Sequence, residues 1–175
     1  MPSFYRQCLL AGLLAAAASA AVVPRFDFDS LVERSDLIAR ARCLRSWSAW
    51  DQQKRFIWTH YELALVDPLK GARAATVVVS EPGGVVGDAG MLIEGVPRYA
   101  GGEEVVVFLY RTPEGLLRTR GLAQGKFHVA ADPSTGQRRV RASIAGLHAP
   151  PEPLALDEFL RRIRGALNRL PGSRR

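Results

Sequence analysis

The segment Glu104-Val105-Val106-Val107-Phe108-Leu109-Tyr110 decides the fold class of this chain of 175 residues. From Val105 onward the segment is an unbroken run of apolar side chains. A run of this kind is typical of a strand that is buried on both faces. We therefore predict a strand over 104–110 that lies inside a β-sheet.

Alternating segments precede this strand. Residues 37–44 place Leu37, Ala39, Ala41 and Cys43 on one face and arginines on the other, which predicts a half-buried strand. A second strand is predicted over 56–66 and a third, rich in valine, over 76–80. The first two form a long hairpin with three tryptophans near its tip: Trp47, Trp50 and Trp58.

The remaining elements are short, apart from one helix. A helix or turn is expected over 26–33 with Asp29 or Ser30 as its cap, a turn over 67–71, and strands over 116–120, 126–130 and 138–142. Residues 156–170 carry a single apolar stripe at helical spacing. The chain is therefore predicted to be mainly β, a small closed or partly closed β-barrel with one C-terminal amphipathic helix. A β-sandwich is the alternative.

The amino terminus has the pattern of an export signal. Arg6 precedes an apolar run over 8–18, and Ala18-Ser19-Ala20 supplies the small residues that precede a cleavage site. We expect residues 1–20 to be a signal peptide, residues 21–149 a β-barrel domain, and residues 150–175 a Pro-rich link and a helix packed on the barrel. An uncleaved N-terminal helix would lead to the same periplasmic or extracellular location. Cys43 then remains without a second cysteine, so no internal disulfide is expected.

The net charge of +7 is unevenly distributed. Residues 1–110 carry 11 basic and 12 acidic side chains, and residues 111–175 carry 13 basic and 5 acidic ones. We interpret the excess as a solvated basic face and expect no nucleic-acid partner, because an exported protein meets little nucleic acid. The alternative is weak contact of the basic helix with an anionic membrane surface, through Arg161, Arg162, Arg164 and Arg169.

The Gly-rich segment 81–103 is the strongest candidate for a binding surface. It is a long connection with apolar residues, and loops of this length are often functional. The segment either plugs the barrel or contacts a partner. Its glycine spacing matches neither a dinucleotide fingerprint nor a phosphate-binding loop. The predicted binding residues are Trp47, Trp50, Trp58, Met91, Ile93, Arg98 and Tyr99.

Signatures of catalysis and of metal binding are not found in the sequence. His60, His128 and His148 lack a metal-ligand spacing, and no GxSxG motif occurs. Cys43 lies on the apolar face of its strand, where a thiol would be inert. We therefore expect no cofactor, no metal and no catalytic residue. The prediction is a non-catalytic exported module that binds another exported protein; a membrane-surface protein is the alternative, and a hydrolase is less favoured. The oligomeric state is left open.

Two resemblances accompany this interpretation. One is to a loose group of exported, mostly uncharacterised bacterial proteins. It covers residues 27–130, and its motifs are the stretch from Leu31 to Arg42, Thr59, the Leu69-Lys70-Gly71 turn, Phe108-Leu109 and the segments 101–105 and 121–127. These motifs are structural and imply no activity. The opening strand also distantly resembles the OB-like barrel of tissue inhibitors of metalloproteinases and netrin-like modules. That resemblance implies an OB-like fold. It does not carry the inhibitory mechanism, which needs an N-terminal cysteine and disulfides that this sequence lacks.

Overall fold

The computed structural model describes residues 25–143 and 153–171. The predicted export signal and most of the Pro-rich link lie outside these residues. Described helices and strands, in chain order, are α1 (Phe28–Arg34), β1 (Leu37–Trp50), β2 (Ile57–Lys70), β3 (Thr76–Pro82), β4 (Gly84–Val86), β5 (Ala89–Met91), β6 (Glu104–Arg111), β7 (Leu117–Thr119), β8 (Lys126–Ala131), β9 (Arg138–Ala142), β10 (Leu154–Ala155) and α2 (Leu156–Arg169). A 3-10 turn over Leu122–Gly125 precedes β8.

Strand β1 closes a ring of strands, because it pairs with β2 on one side and with β6 on the other. The order around the ring is β1-β2-β3-β7-β6, and β3 meets β7 in parallel at Val79 and Leu117. Strands β8, β9 and β10 extend the same sheet beyond β6. The mainly β prediction is confirmed: one eight-stranded, partly ring-like sheet carries a C-terminal helix, and it is not split into the two packed sheets of a sandwich.

Strand β6 separates two hydrophobic cores. Val105, Val107 and Leu109 face the inner core within the ring, while Val106 and Phe108 face the outer core. All five are fully buried, so the predicted burial of this strand on both faces is confirmed.

Both helices pack on the outer face of the sheet. The outer core unites Leu31 and Val32 of α1 with Phe159, Leu160 and Ile163 of α2. The polar face of α2 is also engaged, because its arginines contact α1 and β2: Arg162 lies over the Phe28 ring, Arg164 pairs with Asp67 and Arg169 pairs with Asp29. Neither described helix is both long enough and apolar enough to span a membrane.

Two local predictions are wrong. The segment 67–71 does not form the predicted turn, because β2 continues to Lys70. Pro68 pairs with Ala39 between two register irregularities, a position in a strand where a proline is tolerated. Helix α1 is capped by Asp27, not by Asp29 or Ser30. The Asp27 side chain accepts a hydrogen bond from the Ser30 N–H at 2.7 Å.

An irregularity in β1 reverses its side-chain alternation. The register moves from Cys43↔Leu63 to Arg45↔Glu62, so Leu44 is left without a partner in β2. Such a bulge changes which residues face inward. Beyond it, Ser46 and Ser48 share the inner face with Cys43, while Arg45 and Trp47 face outward.

Candidate functional site

A cleft of about 520 Å³ lies at one end of the ring, where β2 and β3 meet the segment 83–98. The mouth of a β-barrel is a common position for a ligand site. The floor is polar, with hydroxyl and carboxyl groups from Ser48, Thr59, Tyr61 and Glu81. The walls are mainly apolar and come from the segment that follows β3: Val85, Met91, Leu92, Ile93, Val96 and Pro97.

The segment 81–103 contains a short hairpin that the sequence analysis had not predicted. Strands β4 and β5 pair at Gly84↔Met91 and Val86↔Ala89. The hairpin can approach the floor because residue 84 is a glycine: a Cβ at this position would lie 2.3 Å from Thr59 Oγ1 and 2.5 Å from Ser48 Oγ. Its φ of +139° also favours glycine.

The two alternatives for this segment, a plug or a contact surface, apply to different parts of it. Tyr99 is 4% exposed and lies in the inner core, where its ring contacts Tyr61 at a centroid distance of 4.9 Å. Val85 and Leu92 are 68% and 80% exposed. The end of the segment therefore fills the ring, and its beginning presents apolar side chains to solvent.

The hydroxyl groups of the floor form a short hydrogen-bond chain. Thr59 Oγ1 donates to the Gly83 carbonyl at 2.6 Å, which leaves Ser48 Oγ as the donor in the 2.9 Å contact between the two hydroxyls. This chain fastens the start of the β4–β5 hairpin to β1 and β2. Neither hydroxyl is next to a histidine, cysteine or lysine among the residues that line the cleft.

Glu81 is the buried carboxyl group of the cleft. The residue is 1% exposed, and its Oε1 accepts a hydrogen bond from the Thr119 backbone N–H at 2.6 Å. Its Oε2 lies 3.5 Å from Arg118 Nε, and neither atom has a hydrogen bond within the described part of the chain. Burial raises the pKa of Glu81, against the lowering effect of Thr119 and Arg118. The carboxyl group bridges β3 and β7 where their short parallel ladder ends.

A second group of charges lies behind Tyr99. Lys126 is buried, its ammonium group is 4.6 Å from the centroid of the Tyr99 ring, and it pairs with Glu103 at 2.9 Å. His128 Nδ1 also contacts Glu103. Burial opposes ionisation of Glu103, but the hydrogen bonds from His128, Lys126 and the Ala100 N–H outweigh it and lower the pKa to about 2. This group fastens the end of the segment 81–103 to β8.

The structure brings some of the predicted binding residues together and separates others. Met91, Ile93 and Arg98 line the cleft. Tyr99 is 4% exposed and lies beneath the cleft. The three tryptophans lie at the tip of the β1–β2 hairpin, as predicted, but outside the lining of the cleft.

The tryptophans also face different ways. Trp47 is on the outer face, between the Arg45 guanidinium at 5.1 Å and the His60 ring at 5.4 Å. Trp58 is on the same outer face, below Arg118 at 5.6 Å. Trp50 pairs with Ile57 on the inner face, because the bulge reverses the alternation of β1.

Sequence reasoning missed Ser48, Thr59 and Glu81 as site residues. Ser48 was missed because it faces inward only as a result of the bulge at Leu44, and an alternating pattern does not predict a bulge. Glu81 carried a usable signal, since it follows Val77 and Val79 at the inward positions of β3, where a charged residue is costly without a role.

In residues 25–143 and 153–171, no cluster of three His, Cys, Asp or Glu side chains could hold a metal ion. Cys43 is 1% exposed, and burial raises the pKa of its thiol. No protein-family model matches the sequence, and no curated protein matches it significantly.

Proposed function

We propose that this protein is an exported, non-catalytic binding module whose segment 81–103 contacts another exported protein. The observation that carries the proposal is the pair of exposed side chains Val85 and Leu92, which flank a cleft with a polar floor. An apolar projection on a firmly attached base is the arrangement that a protein–protein contact needs.

The attachment of the segment supports a preformed contact surface. Its start is held by the chain from Ser48 through Thr59 to the Gly83 carbonyl, and its end by buried Tyr99 and by Glu103. A surface held at both ends loses little conformational entropy on binding.

The chemistry of the cleft favours binding over catalysis. The hydrogen of the Thr59 hydroxyl is used by the Gly83 carbonyl, and Glu81 is the one carboxyl group among the lining residues. A nucleophile needs an adjacent base, and glycoside hydrolysis needs two carboxyl groups. The alternative of a membrane-surface protein draws less support, because the apolar stripe of α2 is used by the outer core.

The test is quantitative capture of partners from the exported fraction of the source organism, with the purified exported protein as bait. Leu92→Asp removes apolar contact surface from the segment. Val66→Asp is the matched control, because Val66 is 51% exposed on β2 and lies outside the lining of the cleft. We expect one partner to be retained by the wild type and by the control, and to be lost with Leu92→Asp. Equal capture by all three proteins would contradict the proposal.

A further inference from the structure

The second half of β1 has an uncovered backbone edge. Residues 37–42 pair with β6, and Cys43 exchanges hydrogen bonds with Gly102 and Glu103. Beyond Cys43, Leu44 has no partner in β2 and residues 45–50 pair with β2 alone. No other described backbone group donates to residues 44–50 or accepts from them. Most of these residues are exposed. We refer to the free side of residues 44–50 as the β1 edge.

The ladder fixes which backbone groups the β1 edge presents. The Ile57 carbonyl accepts from the Gly83 N–H, so the backbone groups of Ile57 point towards β3 and away from its partner Trp50. Directions alternate along an antiparallel strand, so Trp50, Ser48 and Ser46 each present an N–H and a C=O to the free side.

Two devices that commonly protect a sheet edge, proline and lysine, are missing from the β1 edge. Natural edges are also protected by bulges, and here the bulge at Leu44 lies at the start of the edge, so residues 45–50 beyond it pair regularly with β2. Residues 44–50 contain neither proline nor lysine, and the guanidinium of their one charged residue, Arg45, is 2.5 Å from Glu62. Trp47 and Trp50 are 40% and 38% exposed, so apolar surface accompanies the free backbone groups.

We propose that the β1 edge pairs antiparallel with the β1 edge of a second copy of this chain, about a two-fold axis at Ser48. In this register Ser48 faces Ser48 of the second copy, and Ser46 faces Trp50, so every outward backbone group finds a partner. A register centred on Trp47 would pair fewer of them.

Charge complementarity supports the same register. Arg45 uses its Nε for Glu62 of its own chain, and in this register it also stands opposite Asp51 of the second copy. The symmetry repeats this pair of opposite charges on the other side of the axis. Trp47 stands opposite Ala49 of the second copy, where the small residue leaves room for the indole ring.

The test is the oligomeric state of the purified exported protein, measured by sedimentation equilibrium over a wide concentration range. Ser46→Pro removes an outward N–H without removing a bond to β2, and Ser46→Ala is the matched control because it keeps that N–H. We expect dimers of the wild type and of the control, and a dimer dissociation constant weakened about tenfold or more in Ser46→Pro. A wild type that stays monomeric, or a Ser46→Pro variant that dimerises like the wild type, would overturn the proposal.

A second variant keeps the test decisive if Ser46→Pro does not fold. Ser48→Cys places one thiol from each copy beside the axis, where the Cα atoms of a hydrogen-bonded pair are about 5.5 Å apart, within the range for a disulfide. We expect mild oxidation to give a disulfide-linked dimer of the variant and none of the wild type, whose Cys43 is buried. No linked dimer would overturn the proposed register. The outcome does not depend on the protein partner proposed for the segment 81–103.

Discussion

At the scale of single residues, Glu81 shows how one buried carboxyl group replaces part of a β-ladder. Strands β3 and β7 share a single backbone register position, Val79↔Leu117, so the Thr119 N–H lacks a strand partner and is satisfied by Glu81 Oε1. A buried N–H without an acceptor is costly, which explains a charged residue type at this inward position.

Two substitutions of Glu81 distinguish the role of its acceptor oxygen from the role of its charge. In Glu81→Ala the Thr119 N–H is left unsatisfied, and we expect the free energy of unfolding to fall by about 1–3 kcal/mol. Glu81→Gln keeps an acceptor oxygen, so we expect a smaller loss. Urea unfolding followed by circular dichroism measures both variants. Equal losses in the two would show that the hydrogen bond to Thr119 is not what stabilises the ring here.

Glu103 gives a prediction about pH. Its pKa of about 2 in the folded protein lies below the ordinary value of 4.5, so the folded state favours the ionised form. The stabilisation is fully present above pH 4.5 and is lost as the pH falls from 4.5 towards 2. We expect the wild type to lose stability in this range more steeply than Glu103→Gln, which cannot titrate. Thermal unfolding at a series of pH values measures how steeply the stability of each protein depends on pH. Parallel curves for the wild type and for Glu103→Gln would contradict a lowered pKa of Glu103.

At the scale of elements, local patterns predicted what each segment forms but not how long it runs. The alternation in 37–44 and the apolar run in 104–110 identified β1 and β6, because both signals are local to the strand. The extension of β1 to Trp50 depends on pairing with β2, and the bulge at Leu44 depends on the same pairing. Long-range pairing of this kind leaves no periodic signal in either strand.

The candidate site was predictable to the same extent. The composition of the segment 81–103 indicated a functional loop, and it supplied Met91, Ile93 and Arg98 of the cleft. Ser48 and Thr59 lie on β1 and β2, and which side chains of these strands point into the cleft depends on the bulge in β1 and on closure of the ring. The burial of Tyr99 depends on ring closure, which the sequence pattern does not specify.

Helix α2 provides the clearest prediction for an element. Phe159 is 2% exposed and contacts three aromatic rings: Phe28, Phe108 and Phe127. We expect Phe159→Ala to lower the free energy of unfolding by about 3–5 kcal/mol, because it leaves a cavity in the outer core. Arg161→Ala, on the exposed side of the same helix, should change it by less than about 0.5 kcal/mol. A small effect of Phe159→Ala in denaturant unfolding would mean that α2 is only loosely attached.

At the scale of the whole molecule, β6 joins the two cores into one cooperative unit. Its side chains alternate between the inner and outer cores, and its backbone pairs with β1, β7 and β8. Loss of either core would therefore remove half of the packing around this strand. Strand β9, by comparison, pairs with β8 and with only Leu154 and Ala155 of β10.

This arrangement predicts the order of amide hydrogen exchange. We expect the amides of Val105–Leu109 to exchange only through global unfolding, because opening them requires the separation of both cores. Amides of β9 should exchange faster, by local opening at the end of the sheet. Hydrogen exchange followed by NMR, with Phe159→Ala as a destabilised reference, measures both sets. In that variant the free energy of opening measured for the amides of Val105–Leu109 should decrease by as much as the free energy of unfolding does. If exchange at the inner-core residues Val105 and Val107 were unchanged in the variant, the two cores would unfold separately, and β6 would not be the strand that couples them.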